Sequence, residues 1–80
     1  MKNILDLYKE GYTVAEIKAM KGLSDKETEE FVSAIKSEDL AIHKDAIKNR
    51  IIEMYKNGYS INVINKKTSA SISIIKKILE

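Results

Sequence analysis

Residues 7–13 read LYKEGYT and residues 54–60 read MYKNGYS. The two stretches share Tyr, Lys, Gly and Tyr at the same spacing, 47 positions apart (Tyr8 to Tyr55). At that offset the likeness runs outward in both directions. Ile4-Leu5-Asp6-Leu7-Tyr8-Lys9 lies over Ile51-Ile52-Glu53-Met54-Tyr55-Lys56, Gly11-Tyr12-Thr13-Val14 over Gly58-Tyr59-Ser60-Ile61, and Ile17 over Ile64. An internal repeat of this length marks one supersecondary unit built twice.

Each repeat is punctuated as helices. Ile4, Leu5 and Tyr8, like Ile51, Ile52 and Tyr55, fall on one helical face. Gly11 and Gly58 stand where a helix end needs a left-handed residue, which glycine adopts without a Cβ penalty. Thr13 and Ser60 then suit the N-cap of a second helix, which carries Val14 and Ile17, or Ile61 and Ile64, inward. A turn follows (Lys21-Gly22-Leu23, or Thr68-Ser69-Ala70), and Ser24 or Ser71 caps a third helix. Thr13–Glu16 and Ser24–Glu27 are capping-box pairs. Ile74 takes the glutamate's place after Ser71, so that cap lacks its reciprocal bond. The pattern predicts an all-α chain of about six helices, in two three-helix units over residues 1–38 and 39–80. Residues 25–57 hold no glycine or proline, so they read either as one long rod or as two helices parted near Ser37-Glu38-Asp39.

Composition narrows the function classes. Eighty residues, 44% of them apolar, suffice for one small core or two that share a wall. With no cysteine there is neither a disulfide framework nor a thiolate metal site. No apolar run approaches a membrane span, and the charged, periodic N-terminus does not read as a signal peptide, so a cytoplasmic protein with no membrane partner is expected. Residues 1–40 carry six lysines against nine acids, a balance of −3. Residues 41–80 carry seven lysines and Arg50 against three acids, a balance of +5. Such asymmetry points to different partners for the two halves. Thirteen lysines to one arginine, with abundant isoleucine, suggest AT-rich coding, as in a low-GC bacterium, a phage or a plasmid.

These residues resemble the helix-turn-helix of resolvases and DNA invertases, within the homeodomain-like group, whose pattern is G-x-S-x-x-x-I-A-x-x-x-G-V-S-x-x-T-V-x-x-x-L. In the second repeat Gly58, Ser60, Ile64, Ser71, Ile75 and Leu79 take the pattern's glycine, serine, isoleucine, serine, valine and leucine. The first repeat matches through Gly11, Thr13, Ile17, Gly22, Leu23, Ser24 and Val32. Other positions depart. Lys18 and Asn65 replace the alanine after the isoleucine, Glu27 and Ile74 the threonine, and in the first repeat Thr28 replaces the valine.

The resemblance implies that the third helix of a unit enters the major groove, with phosphates held by cations and helix N-termini on either side. On that footing the second repeat offers double-stranded DNA the residues Ser60, Lys66, Lys67, Ser71, Ile72, Ser73, Lys76 and Lys77, with no acid between Asn57 and Leu79. No Arg, Asn or Gln lies on the third helix, so bidentate pairs to guanine or adenine are absent there. The first repeat carries Asp25, Glu27, Glu29 and Glu30 at the same place, which would repel phosphate and suits a protein partner or self-association. Tyr8, Tyr12, Tyr55 and Tyr59 read as packing at the helix–glycine corners rather than as base-stacking platforms. His43 has no cysteine or acid cluster to make it a ligand or catalyst. No nucleophile–base arrangement, phosphate loop, cofactor site or metal site is legible, and no enzyme is expected. The expectation is a small DNA-binding transcriptional regulator. The alternatives are a protein-binding adaptor or inhibitor on the same scaffold, or a self-assembling protein that pairs acidic with basic units.

Overall fold

Side-chain caps decide where the helices begin. The computed structural model describes residues 3–80. Its six helices are α1 (Ile4–Lys9), α2 (Val14–Lys21), α3 (Asp25–Ala34), α4 (Ser37–Lys56), α5 (Ile61–Thr68) and α6 (Ile72–Leu79), and no strand occurs among the described residues. Asn3, Thr13, Ser24, Ser60 and Ser71 each accept a first-turn backbone N–H of the helix that follows. Both capping boxes form: Glu16 accepts the Thr13 N–H at 3.0 Å and Glu27 the Ser24 N–H at 2.9 Å. The all-α, six-helix expectation holds.

The region without glycine or proline resolves into two helices. Ile35 (φ −68°, ψ 126°) and Lys36 (φ −87°, ψ 157°) are extended. Partly buried Ile35 turns back onto the first core, and α4 starts at Ser37. No side chain caps α4, but Glu38 and Asp39 in its first turn complement the helix dipole. At 20 residues α4 is about 30 Å long, and it links two cores. One contains Leu7, Tyr8 and Ile17, with Ile4, Tyr12, Val14, Leu23, Phe31 and Ile35 around them. The other contains Ile51, Ile64, Ala70 and Ile75, backed by Ile47, Met54, Ile61, Ile78 and Leu79. The N-terminal part of α4 receives α1, while its C-terminal part packs with α5 and α6.

The third helices of the two repeats are held differently. Ile75 is fully buried in α6, a contribution of about 2–3 kcal/mol. The same repeat position in α3 is Thr28, whose hydroxyl donates to the Ser24 carbonyl instead. No α3 residue is fully buried. That helix is anchored by Phe31, edge-on to Tyr8 at 5.7 Å, and by Ile35 beyond its end.

The turns also differ in chemistry while keeping one geometry. Gly22 and its repeat counterpart Ser69 both have φ 62°. A serine in that region is strained, and the neighbouring side chains brace it. The buried Thr68 hydroxyl donates to the Ile64 carbonyl at 2.8 Å and accepts the Ala70 N–H at 3.1 Å, while Asn65 Nδ2 donates to the Ala70 carbonyl at 2.6 Å. Asn65, one of the departures from the family pattern, is thus a turn clamp. Its counterpart Lys18 instead forms an ion pair with Asp25.

Candidate nucleic-acid and protein interfaces

All eight residues expected to meet DNA are exposed. Lys66 and Lys67 end α5, Ser69 turns the chain, and Ser71 caps α6. Burial of Ile75 on one side of α6 leaves Ile72, Ser73, Lys76 and Lys77 outward. Lys67 Nζ lies 5.5 Å from the Tyr59 ring centroid, which links the end of α5 to the corner before it. The hydroxyls of Ser60 and Ser71 accept the Val63 and Ile74 N–H groups, both at 3.3 Å, so each is first a helix cap. The result is a lysine-edged face around one turn and one helix.

The four acids of α3 (Asp25, Glu27, Glu29 and Glu30) lie exposed, and two have local work. Asp25 takes the Lys18 ammonium, which holds its carboxyl below the ordinary range. Glu27 is lowered by the Ser24 backbone N–H and, less, by the Ser24 hydroxyl. Glu29 and Glu30 line a shallow surface depression with Lys26, Ser33 and Ala34.

The most developed polar chemistry lies elsewhere, where the first repeat meets α4. Arg50 grips Glu16 with two bonds, Nη1–Oε1 at 2.6 Å and Nη2–Oε2 at 2.7 Å. It also donates to the Gly11 carbonyl at 3.3 Å and lies 4.6 Å from the Tyr12 ring centroid. The bond to Glu16 pushes the guanidinium pKa up, so it stays charged. His43 stacks on Tyr8 with centroids 3.8 Å apart, and its Nδ1 donates to the Tyr8 carbonyl at 2.7 Å. Burial, and less so Asp39, raises the Tyr8 phenol. Lys9 reaches Asp39 at 3.4 Å, and the Thr13 hydroxyl donates to the Thr68 carbonyl at 2.6 Å. A sequence signal for this junction existed: the sole histidine and sole arginine stand seven residues apart, on one face of α4.

The tyrosines divide accordingly. Tyr8 is 4% exposed and Tyr12 half-buried, as corner packing predicts, but Tyr55 and Tyr59 are 52% and 41% exposed because no helix covers the second corner. Among the described residues no three His, Asp or Glu side chains converge to hold a metal, and no helix is long and apolar enough to cross a membrane.

Fold and faces together define a small all-α protein of duplicated helical architecture, with one exposed basic helix and one exposed acidic helix. Comparison with protein-family models, curated proteins and solved structures finds no match to this chain.

Proposed function

We propose that this protein is a small non-enzymatic DNA-binding regulator of transcription. In this reading the second repeat contacts duplex DNA through α6, the turn before it and the start of α5, and the acidic first repeat contacts protein. The observation that carries it is the outward row of Ile72, Ser73, Lys76 and Lys77 on a helix pinned by Ile75, beside Lys66 and Lys67, in a segment free of acids. The resemblance to the resolvase-type helix-turn-helix supports the same assignment. Four lysines supply affinity by releasing counterions. Serines and Ile72, which can meet a thymine methyl, supply modest base discrimination.

An electrophoretic shift on random duplex across a salt series tests the reading. Binding should weaken with salt, with a log–log slope of up to about −3.6 if all four lysines neutralise phosphates. K76E/K77E should abolish the shift, whereas E29K/E30K should keep it. Absence of binding at low salt would sink the DNA assignment. It would favour the adaptor reading, for which the exposed Glu29 and Glu30 on α3 are the supporting feature.

A further inference from the structure

The first repeat displays, within the chain, how its corner docks onto a helix, and the second repeat carries the same corner uncovered. Five positions of the first corner face the rest of the molecule. Tyr8 stacks on His43, Gly11 abuts the backbone of Ala46, Tyr12 lies by Arg50, Thr13 bonds the Thr68 carbonyl, and Glu16 grips Arg50. A Cβ on Gly11 would come within 2.8 Å of Ala46 C and 2.9 Å of Ile47 N, so the helix crosses against bare backbone. At the repeat offset these positions are Tyr55, Gly58, Tyr59, Ser60 and Val63, and all five are exposed. Gly58 keeps the left-handed backbone (φ 92°, against 99° at Gly11), yet nothing lies within 4 Å of its Cβ position.

We infer that the face formed by Tyr55, Gly58, Tyr59 and Val63 is a docking site for one α-helix of a partner protein. The chemistry of that helix can be read from α4. Lys56 repeats Lys9, which takes Asp39, so the partner presents an acid there. Four positions on, a flat ring stacks on Tyr55 as His43 does on Tyr8. Three further on, an alanine or glycine crosses Gly58 as Ala46 crosses Gly11. Four further on, Val63 replaces Glu16, so an aliphatic residue replaces Arg50. The spacing Asp39, His43, Ala46, Arg50 is one helix face, and Lys56 and Lys67 beside the site favour an acidic helix over a basic one. The chain's own α4 does not serve, because that face already holds α1 in cis, at an effective concentration no separate chain matches. The inference does not depend on DNA binding.

The test is an NMR titration of the 15N-labelled full chain with a helix-stabilised peptide of residues 37–52 carrying Arg50→Leu. Shifts should be confined to the backbone around Tyr55, Gly58, Tyr59, Ser60 and Val63. G58A, which meets open space in the chain alone, should weaken the peptide at least about tenfold, the cost of a backbone-contact clash, and leave any electrophoretic shift on DNA unchanged. The same peptide with Ala46→Leu should fail to bind. No shifts at millimolar peptide, shifts centred on α3 or on α6, or equal affinity for G58A would each overturn the assignment. So would a chain that dimerises through this face, with G58A restoring the monomer by sedimentation.

Discussion

Arg50 and Glu16 lock the two repeats together by a two-pronged ion pair, with side chains 22% and 12% exposed. The same carboxylate oxygen that meets Arg50 Nη1 accepts the Thr13 N–H, so one residue caps α2 and fastens it to α4. Partly buried pairs stand between exposed ones, worth under about 1 kcal/mol, and buried ones, whose breakage costs about 3–5 kcal/mol. R50M should therefore destabilise by about 2 kcal/mol, and R50K by only a little less, because lysine lacks the fork and the stacking plane. E16Q should cost less than E16A, since it keeps a cap acceptor. Denaturant unfolding of E16Q, R50M and the double variant should give a coupling energy of about 1 kcal/mol or more. Additive effects would mean the pair fastens nothing.

The two glycines of the repeated corner carry different loads. At Gly11 a methyl group meets the Ala46 backbone at 2.8 Å as well as a left-handed φ, whereas at Gly58 it meets only the φ. G11A should cost about 3 kcal/mol or more, through forced separation of α1 from α4. G58A should cost about 1 kcal/mol, the strain of the backbone alone. Thermal melts followed by circular dichroism rank them, and equal losses would refute the asymmetry.

Much of this architecture is legible in the sequence. Local rules govern caps and glycine corners, and Thr13, Ser24, Ser60, Ser71, Gly11 and Gly58 sit where those rules put them. What escaped is what α4 does between the repeats. The cap-type run Ser37-Glu38-Asp39 marks where a break can fall but not whether it does, because the break just before it is set by Ile35 packing on a core distant in sequence. The fates of Tyr8 and Tyr55 differ although their neighbours match, since only one corner finds a helix to cover it, a tertiary event that periodicity does not encode. The lysines of the candidate DNA face are legible as charge at a motif position, and their exposure comes from the packing of Ile75. The Arg50 junction was legible only as two unusual residues on one helix face.

Ser69 and Thr68 offer a paired test of the second turn. Ser69 sits at φ 62° where the first repeat has Gly22, and an L-residue there costs about 1–2 kcal/mol. S69G should therefore stabilise the chain by about 1 kcal/mol, net of the extra freedom glycine gives the unfolded state. T68V keeps the shape but strips the buried Ala70 N–H of its acceptor, and should destabilise by about 1–3 kcal/mol. Opposite signs in urea unfolding are the expected result. If S69G is destabilising, the turn is not strained as described.

Acid should release the start of α3 only below the ordinary carboxylate range. Asp25 and Glu27 both titrate below the ordinary carboxylate range, the first through the Lys18 ammonium and the second through the Ser24 N–H and hydroxyl. A lowered folded-state pKa means the group's stabilisation is complete above its unfolded pKa and is lost as pH falls through the folded one. The start of α3 should thus be intact at neutral pH and down through the usual carboxylate range, and release only below it. Side-chain carboxyl NMR should show both groups titrating low in the wild-type chain. K18M should return Asp25 to the ordinary range and leave Glu27 where it was. S24A should move Glu27 only part of the way, because the stronger backbone bond survives. If K18M moved both, the two ends of the α3 cap would be one coupled network rather than two local bonds.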